Sequence, residues 1–166
     1  MKRLKREILN AAEKRVILFT LLLLGVLIWL SLQSSWRLQR EISRKGALGR
    51  IESALKNYWR VKKQYPPNSA ENELLACGAE KNLACGGGQK WEDENYLYLD
   101  SFPDDPLFSS GADWPNFGYR TNQDQSFFWL WVFLENEADP DLASSWQNCP
   151  GLWEKNQYVI CGGNNF

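Results

Sequence analysis

The sequence predicts an α+β fold in which a long N-terminal helix, membrane-spanning in its first half and amphipathic in its second, packs on a small antiparallel β-sheet. Three observations carry this. Residues 16–32 are an uncharged apolar run, residues 35–63 repeat apolar side chains at three- and four-residue steps without a proline, and two β-rich runs, 116–121 and 126–135, flank a polar tetrapeptide.

The apolar run, VILFTLLLLGVLIWLSL, is interrupted only by Thr20 and Ser31 among polar side chains. At about 1.5 Å per residue a helix of this length reaches roughly 26 Å, close to the thickness of a hydrocarbon core. The stretch SLQSS after it offers no clean small-x-small cleavage pattern, so a retained transmembrane helix is expected over 16–33 rather than a cleaved secretory signal or a buried core helix. Lys2, Arg3, Lys5, Arg6, Lys14 and Arg15 precede the run and Arg37, Arg40, Arg44 and Lys45 follow it. The positive-inside rule places the 1–15 flank in the cytoplasm.

Leu38, Ile42, Leu48, Ile51, Leu55 and Tyr58 continue the helical pattern, giving a stem over 34–65 whose face of Leu48, Ile51, Ala54, Leu55, Tyr58 and Trp59 should meet the following domain. Gly46 and Gly49 mark the places where it should weaken or bend, and Pro66–Pro67 end it. Asn68 or Ser69 is placed to cap a short helix over 70–76. Residues 96–106, YLYLDSFPDDP, read as an apolar alternation running into a turn that crosses a sheet. The hairpin of 116–121 and 126–135 joined by NQDQ is the main sheet signal, with QYVIC at 157–161 as a further strand. In the second run Phe127, Trp129, Trp131 and Phe133 face one way and Phe128, Leu130, Val132 and Leu134 the other, so both faces need cover.

The 166 residues suit one modest domain with an added segment and leave no room for a multidomain enzyme. A formal net charge of −1 conceals a split: residues 1–63 carry 15 Lys/Arg against four Glu, a net of +11, and residues 64–166 carry four Lys/Arg against 16 acids, a net of −12. Histidine is absent, which removes His-based triads, His-ligated zinc and the commonest general base near neutral pH. Of 23 aromatic residues 18 lie beyond Lys63, enough for a domain of about a hundred residues, 66–166, to build a dense core.

All four cysteines, Cys77, Cys85, Cys149 and Cys161, fall in the acidic part, without a CxxC pair. Disulfides persist in oxidising compartments, so this part is expected outside the cytoplasmic membrane. Three connectivities are open; the local pairs Cys77 with Cys85 and Cys149 with Cys161 are favoured because each closes a short loop containing turn residues.

Catalysis is not expected. The clusters Asp104–Asp105, Glu92–Asp93–Glu94 and the run with Glu135, Glu137, Asp139 and Asp141 lie in turn-rich loops that give no sign of an apolar pocket to raise a pKa. The run ENEADPD offers several oxygens suited to calcium but lacks the ligand spacing and glycine of an EF-hand, so it is read as a solvated acidic loop, with calcium the alternative and no metal or other cofactor assigned. Arg37, Arg40, Arg44 and Lys45 lie near the membrane, where anionic headgroups are their simplest contact, and an acidic domain repels phosphate, so nucleic-acid binding is not expected. Trp114, Trp146 and Trp153, in loops, are candidates for stacking on sugars or bases, with core or interface use the plainer role.

The order of features resembles the type IV pilins and the pseudopilins of type II secretion. The resemblance lies in the apolar helix, in GRIESALKNYWRVKKQYPP at 49–67, in YLDSFPDDP at 98–106, in NFGYRT and FFWLWVFLEN, and in Cys149 and Cys161 around NQYVIC, similar to the family's disulfide-bounded loop. It implies a structural subunit, held in the cytoplasmic membrane until it assembles with other pilin-like subunits on an assembly platform, its helix inside a filament and its head outside. The family's processing signal, Gly before Phe-Thr-Leu-Ile-Glu, is met only by Phe19, Thr20 and Leu21, with Leu18 for the Gly and Leu23 for the Glu. Counting back from Asn57–Tyr58–Trp59 instead lands near Leu9, with Glu13 at the acid. The resemblance therefore extends to a minor, initiating or accessory subunit without a clear cleavage motif. Within such a filament the charge split implies register contacts from Arg50, Lys56 and Arg60 to a neighbour's Asp104, Asp105, Glu135, Asp139 and Asp141, although the same pairing within one molecule stays open. A single-pass anchored extracytoplasmic binding module is the second reading, and an anchored hydrolase the third.

Overall fold

The computed structural model describes residues 11–163 apart from 79, 81, 110, 112–114, 150 and 152. The basic residues of 1–10, Leu9 and Trp114 lie outside the described residues. The elements run α1 (Ala11–Lys62), β1 (Leu75–Cys77), β2 (Leu83–Ala84), β3 (Trp91–Glu92), β4 (Leu97–Leu99), β5 (Gly118–Thr121), β6 (Phe127–Phe133), α2 (Pro140–Asn148) and β7 (Gln157–Gly163). The fold is α+β, with one long apolar N-terminal helix and small antiparallel sheets. The chain divides into two compact units, up to Gln39 and from Arg40.

In the first unit the described residues are helix and nothing else. In the second, the remaining turns of α1 bury Ala47, Leu48, Ile51, Ala54 and Leu55 at 3 % exposure or less, with Tyr58 and Trp59 packed at the margin of the same core. This is the face the periodicity indicates. The helix passes through Gly46 and Gly49 without interruption. It stops where Lys63 turns to φ 58° and donates its N–H to the Trp59 carbonyl, two residues before the buried Tyr65 and Pro66.

Tyr65 joins helix to sheet. Its ring stacks on Trp59 with centroids 4.8 Å apart and meets Phe128 edge-on at 4.8 Å, while its N–H donates to Gln125 in the β5–β6 turn. The main sheet has order β5-β6-β7, all antiparallel. Asn122 closes the hairpin turn, its Oδ1 accepting the N–H groups of Ser126 and Phe127. On β6, Phe128, Leu130 and Val132 point into the core at 1 % exposure or less; on the opposite face Trp129, Trp131 and Phe133 are half-buried. The second face is thus only partly covered.

Three expectations need correction. No helix forms over 70–76: Ser69 Oγ accepts from the N–H groups of Glu71 and Glu73, but Asn72 adopts φ 62°, Asn68 bridges to Leu74, and the chain passes into β1. So short a helix has little stability of its own, and the extended chain buries Leu74 just before β1 and Ala76 and Cys77 within it instead. The segment 96–106 is not a loop throughout; its start forms β4, which pairs with β3 in a separate two-stranded sheet. The acidic run is not wholly a loop, because Asp139 caps α2, accepting from the Asp141 N–H, with Pro140 in the first turn. That helix packs against β7.

The disulfides are Cys77–Cys85, joining β1 to the residue after β2, and Cys149–Cys161, joining the end of α2 to β7.

Candidate functional site

Two features stand out as built for contact, one in each unit. In the first unit every Val, Ile, Leu, Phe and Trp from position 16 to 32 is at least 45 % exposed. The most apolar 18-residue window has a mean hydropathy of 2.5 and none of it is buried, so this is one helix near the N-terminus long and apolar enough to cross a membrane. Its backbone polar groups are satisfied along the helix, and Thr20 and Ser34 return their hydroxyls to the carbonyls of Ile17 and Ser31.

In the second unit the stretch of α1 from Arg40 to Lys45 carries a dense ionic clamp. Arg44, with no exposed side-chain surface, donates from Nε to Asp105 Oδ2 at 2.5 Å, from Nη2 to Asp105 Oδ1 at 3.1 Å and from Nη1 to Glu135 Oε1 at 2.7 Å. Arg40 grips the same Glu135 through Nε at 2.8 Å and Nη2 at 2.5 Å. Lys45 Nζ bridges Asp139 at 2.7 Å and Asp141 at 2.6 Å and lies 5.3 Å from the Tyr158 ring centre. Glu41 Oε1 accepts the Asn136 N–H at 2.6 Å. The hydrogen bonds from Arg40, reinforced by Arg44 against the cost of burial, hold the Glu135 carboxyl at about 2. Burial opposes the Arg44 charge, and the bonds to Asp105 and Glu135 outweigh it, raising its pKa.

A smaller clamp fixes the other end of the stem. Asp93 accepts from Tyr98 Oη at 2.6 Å, from Lys62 at 2.9 Å and from the N–H groups of Asn95 and Tyr96, which together hold its carboxyl well below the usual range.

Asp105, Glu135, Asp139 and Asp141 are therefore brought together, but with Arg40, Arg44 and Lys45 of the same molecule. Asp105 is fully buried although its turn-rich loop gave no sign of it: Arg44 supplies the charge, and the Leu107 N–H a hydrogen bond, that make burial tolerable. Arg40, Arg44 and Lys45 all turn to protein carboxylates. Asp104 stands apart, its Oδ1 accepting from Asn116 Nδ2 at 3.1 Å. Arg50, Lys56 and Arg60 are exposed; Lys56 pairs with Glu52 one turn away and Arg60 donates to Asn57. Trp146 and Trp153 are half-buried, their indole N–H groups donating to the carbonyls of Gln157 and Cys149. Among the described residues no group of three or more Asp, Glu, Cys or His is arranged to hold a metal ion.

The clamp had a sequence signal that a count of charges misses. Arg40 and Arg44 continue the Leu48–Ile51–Leu55 stripe toward the N-terminus at four-residue steps, so they lie on the buried face and require buried counter-charges.

No protein-family model, curated protein or solved structure matches the chain. Fold and site define its class: an α+β head with two disulfides, in a chain that also carries one helix long and apolar enough to cross a membrane.

Proposed function

We propose that this chain is a pilin-like or pseudopilin-like structural subunit of a type IV filament or type II secretion-type machine, held single-pass in the cytoplasmic membrane with its N-terminus inside and its head outside. The carrying observation is the exposed apolar helix of the first unit. In water such a surface has no partner, so it requires lipid before assembly and the helices of neighbouring subunits after it. The amphipathic continuation of α1 buried against an antiparallel sheet, and the disulfide that ties α2 to β7, support the same reading. Two disulfides favour an oxidising compartment for the head, and the basic residues before the apolar run favour a cytoplasmic N-terminus.

A single-pass anchored binding module is the second reading, favoured by one observation. The acids assigned to a neighbour are largely consumed within the molecule by Arg40, Arg44 and Lys45. Mass spectrometry of the mature N-terminus, combined with a search for the chain in sheared filaments, separates the two. Recovery from the filament fraction supports the subunit; an intact Met1 with the chain absent from every such fraction supports the binding module.

A further inference from the structure

The half-covered face of the main sheet holds a groove of about 600 Å³, within the size of small-molecule sites, roughly 300–1,000 Å³. Neither clamp uses it. Trp129, Trp131 and Trp153 form its aromatic lining, and Arg120, Glu154 and Gln157 are among its polar residues. Strand register sets Arg120 opposite Trp129 and Gly118 opposite Trp131. A Cβ built on Gly118 would fall 2.1–2.4 Å from Trp131 ring atoms, so the indole lies across bare backbone, and Trp153 tilts beside it with ring centres 6.2 Å apart. The result is a broad aromatic surface that a side chain at position 118 would obstruct.

The polar residues point to a ligand. Gln157 is only 8 % exposed, and its Oε1 accepts the Glu154 N–H at 2.9 Å, yet its Nε2 amide has no acceptor among the described residues. A buried donor left unmade is costly, and a groove residue in this state is one that an incoming acceptor would satisfy. Arg120 and Glu154 are exposed and form no ion pair or side-chain hydrogen bond among the described residues. One cation, one anion and amides together match a ligand that carries both donors and acceptors and no net charge.

We propose that this groove binds a neutral oligosaccharide. The C–H faces of a pyranose ring carry partial positive charge and stack on the negative face of an indole, while its hydroxyls both donate and accept. A polyanion is disfavoured by the net charge of −12 over residues 64–166. An extended peptide would gain its affinity by adding to a free sheet edge, whereas this groove lies over the side chains of β5 and β6. The inference stands independently of filament assembly.

The test uses the full chain in phosphatidylcholine nanodiscs free of sugar-based detergent, titrated with hexamers of β-1,4-glucose, α-1,4-glucose, β-1,4-N-acetylglucosamine and β-1,4-xylose, and in parallel with heparin and an extended decapeptide. Tryptophan fluorescence and calorimetry report binding. The expected result is saturable binding of at least one neutral hexamer, weakened roughly tenfold or more by Arg120→Ala and by Glu154→Ala. Both residues are exposed, so near-UV dichroism of these variants should match the parent; Gln157→Leu, at a buried position, is scored only if its dichroism does too. The proposal is overturned if no hexamer binds up to roughly 10 mM, if only heparin or the peptide binds, or if saccharide binding is unchanged in both exposed variants.

Discussion

Arg44 and Asp105 form a two-pronged ion pair, Nε to Oδ2 at 2.5 Å and Nη2 to Oδ1 at 3.1 Å, with neither side chain exposed to solvent. Two charges so placed stabilise the fold only while both are present, because the cost of removing each from water is offset by its partner. Asp105→Ala removes one of the two carboxylates that hold the buried Arg44 guanidinium, and we expect it to destabilise the head by about 3–5 kcal/mol. The double replacement Arg44→Met with Asp105→Leu should lose less than the sum of the two single variants. Thermal melts followed by near-UV dichroism measure both, and strict additivity would show that the pair is not coupled.

Glu135 ties this pair to acidity. Its carboxyl titrates at about 2 in the fold against an ordinary value of 4.5. A group whose folded pKa is lowered contributes stability that is complete above its unfolded pKa and is lost as pH falls through the folded one. Stability should therefore decline from about pH 5 down to about pH 2, by on the order of 2–3 kcal/mol from this residue. Asp93, also held low by Tyr98 and Lys62, adds to the same direction. Glu135→Gln should flatten the profile over that window in an acid titration of tryptophan fluorescence; an unchanged acid slope would assign the effect elsewhere.

How far the fold was legible in the sequence depends on where each signal resides. The stem face of Leu48, Ile51, Ala54 and Leu55 and the hairpin of β5 and β6 are periodic, and periodicity is a local property. The helix α2 was also written locally, in Asp139 and Pro140, but the surrounding acids drew the run toward a loop. The reverse happened at 70–76, where a good cap at Ser69 was overridden by burial of Leu74, Ala76 and Cys77 in extended chain. Which cation meets which acid was not legible, although pairing within one molecule stayed open: the contacts of Arg40 with Glu135 and Arg44 with Asp105 span 95 and 61 positions. Trp153 was singled out for stacking, but its place beside Trp131 was hidden for a similar reason, since the two rings are brought together from separate parts of the chain.

Gly46 and Gly49 were expected to weaken α1, and the helix runs through both. A Cβ at either position meets nothing within 4 Å, and neither has a positive φ. They therefore retain the conformational cost of glycine without a packing reason for it. Gly46→Ala and Gly49→Ala should each stabilise by about 0.5–1 kcal/mol, mainly by restricting the unfolded chain. Amide hydrogen exchange across residues 44–55 should slow in the double variant. Loss of filament incorporation in a variant that is more stable in isolation would instead show that these positions serve a close helix contact between subunits.

The exposed charges of the stem provide the sharpest test of assembly. Arg50, Lys56 and Arg60 are exposed and none of them joins the clamp, whereas Asp105 is buried and Glu135 and Asp139 are already paired. If stem charges set register between subunits, their partners on a neighbour must come from acids still within reach of solvent, among them Asp141, whose side chain is 57 % exposed, and half-buried Asp104. Reversing Arg50, Lys56 and Arg60 to Glu breaks one i,i+4 pair with Glu52 and puts an anion near the helix C-terminus, changes worth about 0.3–1 kcal/mol each. The head should still fold, with a small loss of melting temperature, while incorporation into filaments is abolished. Because charge complementarity governs encounter and register more than affinity, partial recovery is expected when Asp104 and Asp141 are reversed to Lys in the same chain. Normal incorporation of the triple variant discards the register role and leaves the apolar helix as the sole determinant of assembly.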